Sequence, residues 1–178
     1  MRYWYDTEFL EDGRTIDLIS IGIVAEDGRE YYAVASDAPW KRIRTHEWLM
    51  KHVVPSLPQI RGDRRMHLPA RDLGVDFDHP AVKPRTLIAE EVRRFIQPDP
   101  QLWAWYGAYD HVALAQLWGP MIHLPSGIPM WTNDLRQECE RLGNPPLPEQ
   151  PDGVHNALAD ARHNRVRHEA LEAIARRS

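Results

Sequence analysis

Two carboxylates stand close together near the beginning of the chain, in a segment that otherwise has the composition of a buried strand. Asp6 and Glu8 lie in the stretch YDTEFL, among aromatic and β-branched residues that favour a pleated sheet. Residues two apart on a strand point to the same face, so we expect these two carboxylates side by side. Like charges at that distance repel each other, which indicates a bound cation. The alternative is an exposed edge strand with two solvated acids.

Three more side chains have types and positions that suit catalysis. Asp110 follows a predicted strand at the start of a predicted helix, and Asp160 lies in the last predicted helix, five residues after His155. Each of them also has an ordinary structural explanation. Asp110 could be a first-turn acid that favours the helix dipole, Asp160 a solvated helix acid, and His155 a capping or core histidine.

The four acids and the histidine fit one reaction better than five separate roles. Hard divalent cations, Mg²⁺ first and Mn²⁺ as a substitute, bind carboxylate oxygens together with water and substrate phosphate. Two such ions about 3.5–4 Å apart clamp the attacking and leaving oxygens of a phosphoryl transfer. A histidine, with an ordinary pKa of about 6.5, suits deprotonation of the attacking water. The pattern therefore indicates a two-metal phosphodiesterase.

The same residues lie in three segments that resemble a known enzyme family. These segments are DTEF at residues 6–9, GAYDHVAL at residues 107–114 and HNALAD at residues 155–160. In this order they resemble the three motifs of the DEDDh 3′→5′ exonucleases, which include RNase T and oligoribonuclease. The resemblance implies a general base at His155, an RNase H-like fold and a homodimer. It also implies four metal ligands, which are Asp6, Glu8, Asp110 and Asp160.

Longer segments, among them TIDLISIG and LWAWYGAYDHVALAQLWGPM, resemble the polyadenylate-specific RNase AS group within this family. This resemblance implies a 3′→5′ exoribonuclease that acts on single-stranded, adenylate-rich RNA 3′ ends and releases nucleoside 5′-monophosphates. One departure concerns the second motif, where many relatives carry an asparagine before the aspartate and this chain has Gly107, Ala108 and Tyr109. Residues 62–84 carry no resemblance, and their role stays open.

Aromatic side chains next to the motifs are candidates for binding substrate bases. Proteins read single-stranded RNA by stacking its bases on aromatic rings, which contributes about 1–3 kcal/mol per base. Phe9 follows the DTE motif directly, and Tyr109 and His111 flank Asp110. Core packing is the alternative for all three. The tryptophans in strongly apolar stretches are expected in the core, and they are Trp4, Trp103, Trp105 and Trp118.

Two other functions stay open at this point. One is a metal-dependent hydrolase of another class, with His155, His163 and His168 around the metal ion near Asp160. Because His163 and His168 are five residues apart on one helix, they do not share a face, which counts against this function. The other is a non-catalytic module that binds single-stranded RNA on the same fold. A module of that kind has no need for so many uncompensated carboxylates in one place.

The length and composition indicate one globular domain. The chain has 178 residues, of which 43% are hydrophobic and 27% charged. Its net charge is −4, yet residues 40–94 carry +5, which either serves a polyanion or reflects ordinary surface variation. The single cysteine, Cys139, excludes an internal disulfide framework. Without a signal peptide or a run of about 20 apolar residues, we expect a cytoplasmic protein.

The hydrophobic pattern predicts the elements that must position these residues. Three antiparallel strands open the chain, with EDG at residues 26–28 as a hairpin turn. A buried strand follows at residue 101, and a proline-rich, charged excursion occupies residues 55–85 of the single domain 1–178. Helices are predicted within residues 40–54, 85–97, 108–119, 132–142 (capped by Thr132 or Asn133) and 156–177. This order predicts an α/β fold in which helices flank a central mixed sheet.

Overall fold

The chain forms a mixed six-stranded sheet flanked by helices in a computed structural model that describes residues 1–61, 73–96 and 99–177. The strands are β1 (Arg2–Glu11), β2 (Ile16–Ala25), β3 (Glu30–Ala35), β4 (Val82–Lys83), β5 (Gln101–Ala104) and β6 (Asn133–Asp134). Their order across the sheet is β4-β3-β2-β1-β5-β6. The helices are α1 (Trp40–Ile43), α2 (Glu47–His52), α3 (Arg85–Phe95), α4 (Gly107–Ala115), α5 (Leu135–Arg141) and α6 (Ala157–Ala175). The predicted α/β class is confirmed.

The first three strands form the antiparallel meander that the sequence predicts. β1 pairs with β2, and β2 pairs with β3 across a turn in which Gly28 has a φ of 90°. Glycine adopts this left-handed conformation without strain, which explains the turn signal EDG. The other strands join in parallel, so that the sheet is mixed. Along β1, pairing with β5 involves only Arg2, Tyr3 and Trp4, which leaves the second half of this edge of β1 without a ladder to β5.

The predicted helix over residues 40–54 is wrong in its extent. The segment forms the two short helices α1 and α2, followed by a 3₁₀ turn at Val54–Ser56. The backbone of His46 is extended, and its Nδ1 accepts a hydrogen bond of 3.3 Å from the backbone N–H of Leu49. The His46 side chain therefore caps α2. The helix is interrupted here because the imidazole, and not a backbone carbonyl, accepts the hydrogen bond from the Leu49 N–H.

The predicted cap of the helix within residues 132–142 is also wrong. Asp134, and neither Thr132 nor Asn133, is the N-cap of α5. Its Oδ1 accepts hydrogen bonds from the backbone N–H groups of Arg136 at 2.7 Å and Gln137 at 3.3 Å. Aspartate satisfies two otherwise unpaired donors in this way. The preceding residues are extended because Asn133–Asp134 form β6 beside β5.

The predicted excursion over residues 55–85 is described only in part, since residues 62–72 lie outside the described residues. On either side of them the chain returns to the core. Leu73 and Val75 are buried, and Val75 forms an isolated antiparallel bridge with Gln59. The described ends of this segment therefore belong to the domain.

Apolar side chains cover both faces of the sheet. Tyr3, Ile21 and Ile23 point to one face, where they share a core with buried residues of α3 and α4. Trp4 and Val24 point to the other face, where buried residues of α5 and α6 cover them. Among the described residues, no helix is long and apolar enough to cross a membrane.

The helix α6 lies directly against the sheet at Gly22. Gly22 pairs with Asp6 on β1, and a side-chain Cβ at this position would overlap the backbone of Ala157 and Leu158 at the start of α6. Any other residue at this position would push the first turn of α6 away from the strand. The absence of a side chain here therefore brings the beginning of α6 next to Asp6.

We expect the substitution Gly22→Ala to destabilise the fold by about 1–3 kcal/mol, because the overlap is with backbone that cannot rotate away. It should also weaken divalent-metal binding, since the start of α6 must move. Urea unfolding and a Mn²⁺ titration of the folded variant measure the two effects.

The substitution Gly28→Ala is the matched control. Nothing lies within 4 Å of a Cβ at Gly28, so its cost of about 1 kcal/mol comes from the left-handed backbone alone. Metal binding should stay unchanged in this variant. Equal metal affinities for the two variants would contradict the positioning role of Gly22.

Candidate active site

Thr7 attaches Asp110 to the open edge of β1. The backbone N–H of Thr7 donates to Asp110 Oδ1 at 2.8 Å, and the Thr7 hydroxyl donates to the same oxygen at 2.7 Å. The N–H is available because β5 does not extend this far along β1. The chain enters α4 through Tyr106, whose φ is 57°. Asp110 therefore lies in the first turn of α4, with one oxygen held by Thr7.

His155 and Asp160 are positioned by the start of α6. Asn156 caps the helix, since its Oδ1 accepts from the backbone N–H of Ala159 at 3.1 Å. Its Nδ2 donates to the carbonyl of Ser56 at 3.0 Å, and the Ser56 hydroxyl donates to the carbonyl of His155. His155 itself has a left-handed φ of 66°. This reciprocal pair of hydrogen bonds fixes the loop-to-helix junction to the 3₁₀ turn after α2.

The carboxylates of the first and third motifs converge. Carboxylate oxygens of Asp6, Glu8 and Asp160 lie within 4.8 Å of one another. Asp110 and His155 border the same cavity, which has a volume of about 430 Å³. The structure thus brings the five predicted catalytic and metal-binding residues to one cavity.

Burial raises the pKa of every acid in this cluster, and repulsion between the carboxylates adds to the effect at Asp6 and Glu8. The pKa of Asp6 lies well above its usual value because of burial and the charges of Asp110 and Glu8. Burial, with the charge of Asp160, raises the pKa of Glu8 to about 8. Burial also raises the pKa of Asp110 to about 6 and increases that of Asp160. The ionised cluster therefore needs positive charge to be stable.

The donor set fits hard divalent cations. All four acids offer oxygen atoms, the ligand type that Mg²⁺ and Mn²⁺ bind. Three of the four carboxylates are already gathered within reach of one ion. The pKa of Asp6 stays well above its usual value although the charge of Arg167 lowers it, so the protein compensates only part of the negative charge of the cluster.

Two polar side chains at the cavity were not predicted from the sequence. Gln150 Nε2 donates to Asp160 Oδ1 at 2.7 Å from the proline-rich loop before α6. Arg167, on α6, borders the cavity and donates to Asn164 Oδ1 at 3.1 Å. The sequence could have indicated Arg167, since it lies seven residues after Asp160 and so on the same helix face. No periodicity marks Gln150, which lies in a loop.

The aromatic candidates divide into two groups. Phe9 and Tyr109 both line the cavity, and their rings stack on each other with centroids 6.0 Å apart and planes 9° apart. His111 lies elsewhere, with its Nδ1 3.3 Å from the hydroxyl of the buried Tyr5. Among the described residues, the structure therefore does not bring His111 to the cavity wall with Phe9 and Tyr109, because successive helix residues around Asp110 point in different directions.

Three further aromatic residues line the cavity. Trp48 of α2 lies edge-on to His155, with ring centroids 4.8 Å apart, and 47% of its surface is exposed. Trp105 and Tyr106, which follow β5, also line the cavity. The prediction of Trp105 as a core residue is therefore only partly right, while Trp4 is buried as predicted.

The histidines of the alternative metal site do not join His155. His163 and His168 are both buried along α6. His168 Nδ1 accepts a hydrogen bond of 2.9 Å from the indole N–H of Trp4 and its ring lies against Trp103. These contacts give His168 a packing role, and the geometry does not support a hydrolase with a histidine-based metal centre.

We expect Glu8→Gln to stabilise the metal-free protein at alkaline pH. The pKa of Glu8 is about 8 in the folded protein and about 4.3 in an unfolded chain. Between these values the folded protein binds the extra proton, so the contribution of Glu8 to stability falls as the pH rises and is lowest above pH 8. The variant should gain on the order of a few kcal/mol at pH 8.5 and almost nothing near pH 4.

Urea unfolding in EDTA across this pH range measures the difference. Glu11→Gln is the control, because Glu11 is exposed on the same strand. A pH-independent effect of Glu8→Gln, or an equal gain from Glu11→Gln, would contradict the electrostatic account of the cluster.

Comparison with known proteins agrees with this geometry. Residues 1–171 match the family model of the Rv2179c-like 3′-5′ exoribonuclease domain. The chain is 48% identical over 166 residues to the 3′-5′ exoribonuclease Rv2179c of Mycobacterium tuberculosis H37Rv, an alignment that covers 91% of this chain and 88% of that protein. The same values hold for the 3′-5′ exoribonuclease MT2234.1 of M. tuberculosis CDC 1551. The chain therefore belongs to the Rv2179c-like 3′-5′ exoribonuclease domain family.

Proposed function

We propose that the protein is a divalent-metal-dependent 3′→5′ exoribonuclease of the DEDDh type, which removes nucleoside 5′-monophosphates from the 3′ end of single-stranded RNA. The observation that carries the proposal is the convergence of Asp6, Glu8 and Asp160 within 4.8 Å of one another. Asp110 and His155 border the same cavity. Family membership supports the reaction class.

The metal ions of this proposal are two Mg²⁺ or Mn²⁺ ions held by the four carboxylates. When bound, they supply Lewis-acid activation of a water and charge stabilisation of the leaving oxygen. The protein contributes the placement of the ligands. Thr7 holds one oxygen of Asp110, and Gln150 holds one oxygen of Asp160. Hydrogen bonds of this kind orient carboxylate ligands before a metal ion binds.

His155 is the proposed general base. It lines the cavity, its backbone is fixed by Ser56 and its ring is packed against Trp48. A base in this position takes the proton of the attacking water, which contributes about 10²–10⁴-fold to the rate. The Trp48 contact limits the rotation of the imidazole.

The proposed substrate is an adenylate-rich, single-stranded 3′ end. The cavity of about 430 Å³ is lined by aromatic rings, which suits one or two unpaired nucleotides. Phe9 and Tyr109 are the proposed stacking residues, and already lie parallel to each other. The adenylate preference is supported by the resemblance to the RNase AS group alone.

The proposal includes a cytoplasmic homodimer with an RNase H-like fold. Large apolar side chains are exposed near α4, with Ile122 at 82%, Met121 at 68% and Trp131 at 60% of their surface. We take these exposed apolar side chains as the proposed contact surface between subunits. The mixed sheet with helices on both faces supports the fold assignment.

A time course on 5′-labelled RNAs tests the proposal. One RNA ends in an A-tract and the other in a mixed sequence, each with Mg²⁺, with Mn²⁺ and with EDTA. We expect metal-dependent shortening from the 3′ end that slows at the first non-adenylate nucleotide. Asp6→Asn should lose at least about 100-fold in rate because a ligand is lost, and His155→Ala should lose about 10²–10⁴-fold.

Three results would change the proposal. Equal trimming of both RNAs would remove the adenylate preference and leave the nuclease. RNA that stays intact with both metals, but is bound as tightly by the Asp6→Asn variant as by the unaltered protein, would indicate a non-catalytic binding module. Activity in EDTA would contradict the metal dependence.

A further inference from the structure

Arg167 lies at the wall of the carboxylate cavity in a fixed orientation. Its Nη1 donates to Asn164 Oδ1 at 3.1 Å, and its Cζ lies 4.5 Å from the centre of the Trp105 ring. Asn164 in turn donates from Nδ2 to the carbonyl of Tyr5 at 3.1 Å, directly before Asp6 on β1. The guanidinium is therefore tied to the strand that carries the first motif.

This guanidinium carries a positive charge that is not paired with a carboxylate of the proposed metal site. Among the described residues that line the cavity, Arg167 is the one lysine or arginine. Within the described part of the chain it forms no ion pair with a carboxylate at 4.0 Å or less, although the charges of Asp160 and Asp6 act on it. Its remaining N–H groups are thus not committed to a carboxylate. Arg162 on the same helix is paired instead, with Glu30 at 2.6 Å.

The charge balance of the site explains what such a group would bind. The four carboxylates and two divalent ions of the proposed function cancel each other. Arg167 then leaves the cavity with one positive charge, which equals the single negative charge of a phosphodiester. A guanidinium also offers paired N–H donors that match two phosphate oxygens, and the position of its Cζ over the Trp105 ring restricts its orientation.

We propose that Arg167 binds a backbone phosphate of the RNA 3′ end. The inference rests on the proposed function and adds a substrate-binding residue to it. The guanidinium of Arg167 forms an ion pair and paired hydrogen bonds with the phosphate, a group that every nucleotide of the strand carries. It therefore contributes to affinity for the strand irrespective of the base, while the aromatic walls bind the bases.

The rates of RNA trimming at several salt concentrations test this role in Arg167→Gln and Arg167→Lys. Removal of one phosphate contact should raise KM about 10-fold or more with little change in kcat, because the contact is made equally in ground and transition states. The slope of log(kcat/KM) against log salt should become shallower by about 0.7, the value for one phosphate on a single strand. Arg167→Lys should keep the slope and recover only part of the KM, since it retains the charge without the fork.

Arg165→Gln is the matched control. Arg165 lies on the same helix, pairs with Glu169 at 2.8 Å and does not line the cavity. The substitution therefore removes the same charge at a position outside the site. Its KM and salt slope should equal those of the unaltered protein. Mn²⁺ affinity and unfolding in EDTA are measured on all variants, and Arg167→Gln should bind Mn²⁺ at least as tightly as the unaltered protein.

The outcomes separate this inference from the proposed function. An unaltered protein that leaves RNA intact overturns the proposed function and the role of Arg167 with it. If the unaltered protein trims RNA, an Arg167→Gln variant with unchanged KM and salt slope overturns the role of Arg167 alone. A loss of Mn²⁺ affinity that matches the loss of kcat/KM would likewise overturn it, because Arg167 would then be a structural residue of the metal site.

Discussion

Helix α6 contacts the sheet through backbone rather than through side chains at Gly22, and the geometry of the candidate site follows from that contact. Gly22 stands beside Asp6 in the β1–β2 ladder, so the first turn of α6 reaches the carboxylates of β1 without a layer of side chains between them. Asp160, in that turn, is thereby brought within 4.8 Å of Asp6 and Glu8. The contact is small in area, yet it sets the distance between the first and third motifs.

The second constraint is electrostatic. Four acids at one cavity have raised pKa values, and the metal-free protein therefore holds them at a cost in stability. The surrounding structure offsets this cost with fixed hydrogen bonds from Thr7 and Gln150 and with the apolar core on both sides of the sheet. Destabilised groups of this kind are common where a site is organised for a ligand.

The site was more predictable than the segments around it. Asp6 and Glu8 were indicated by a two-residue spacing on a strand, which is a local property. His155 and Asp160 were indicated by their order after the first two motifs and by the resemblance to the DEDDh exonucleases. The cap of α2 at His46 uses a side chain outside the usual capping residues, and the left-handed backbone at Tyr106 falls on a residue other than glycine, so sequence patterns indicate neither of them.

Sequence periodicity also does not predict the side chains that reach the cavity from loops or from distant elements. Trp48 faces His155 only because Ser56 and Asn156 join two segments about 100 residues apart in the chain. Gln150 comes from a proline-rich loop whose course no pattern predicts. Arg167 is the exception, since its spacing from Asp160 predicts the same helix face, and a positive charge beside a cluster of acids indicates a residue of the site.

The most direct test of the account is the number of divalent ions that the protein binds. Isothermal titration of the metal-free protein with Mn²⁺ at pH 7.5 should give two ions per chain, with proton release because acids of raised pKa lose their protons on binding. The same titration of Asp6→Asn should give fewer ions at lower affinity. Binding of no ion, or identical titrations for the two proteins, would contradict the claim that these carboxylates are gathered to hold metal.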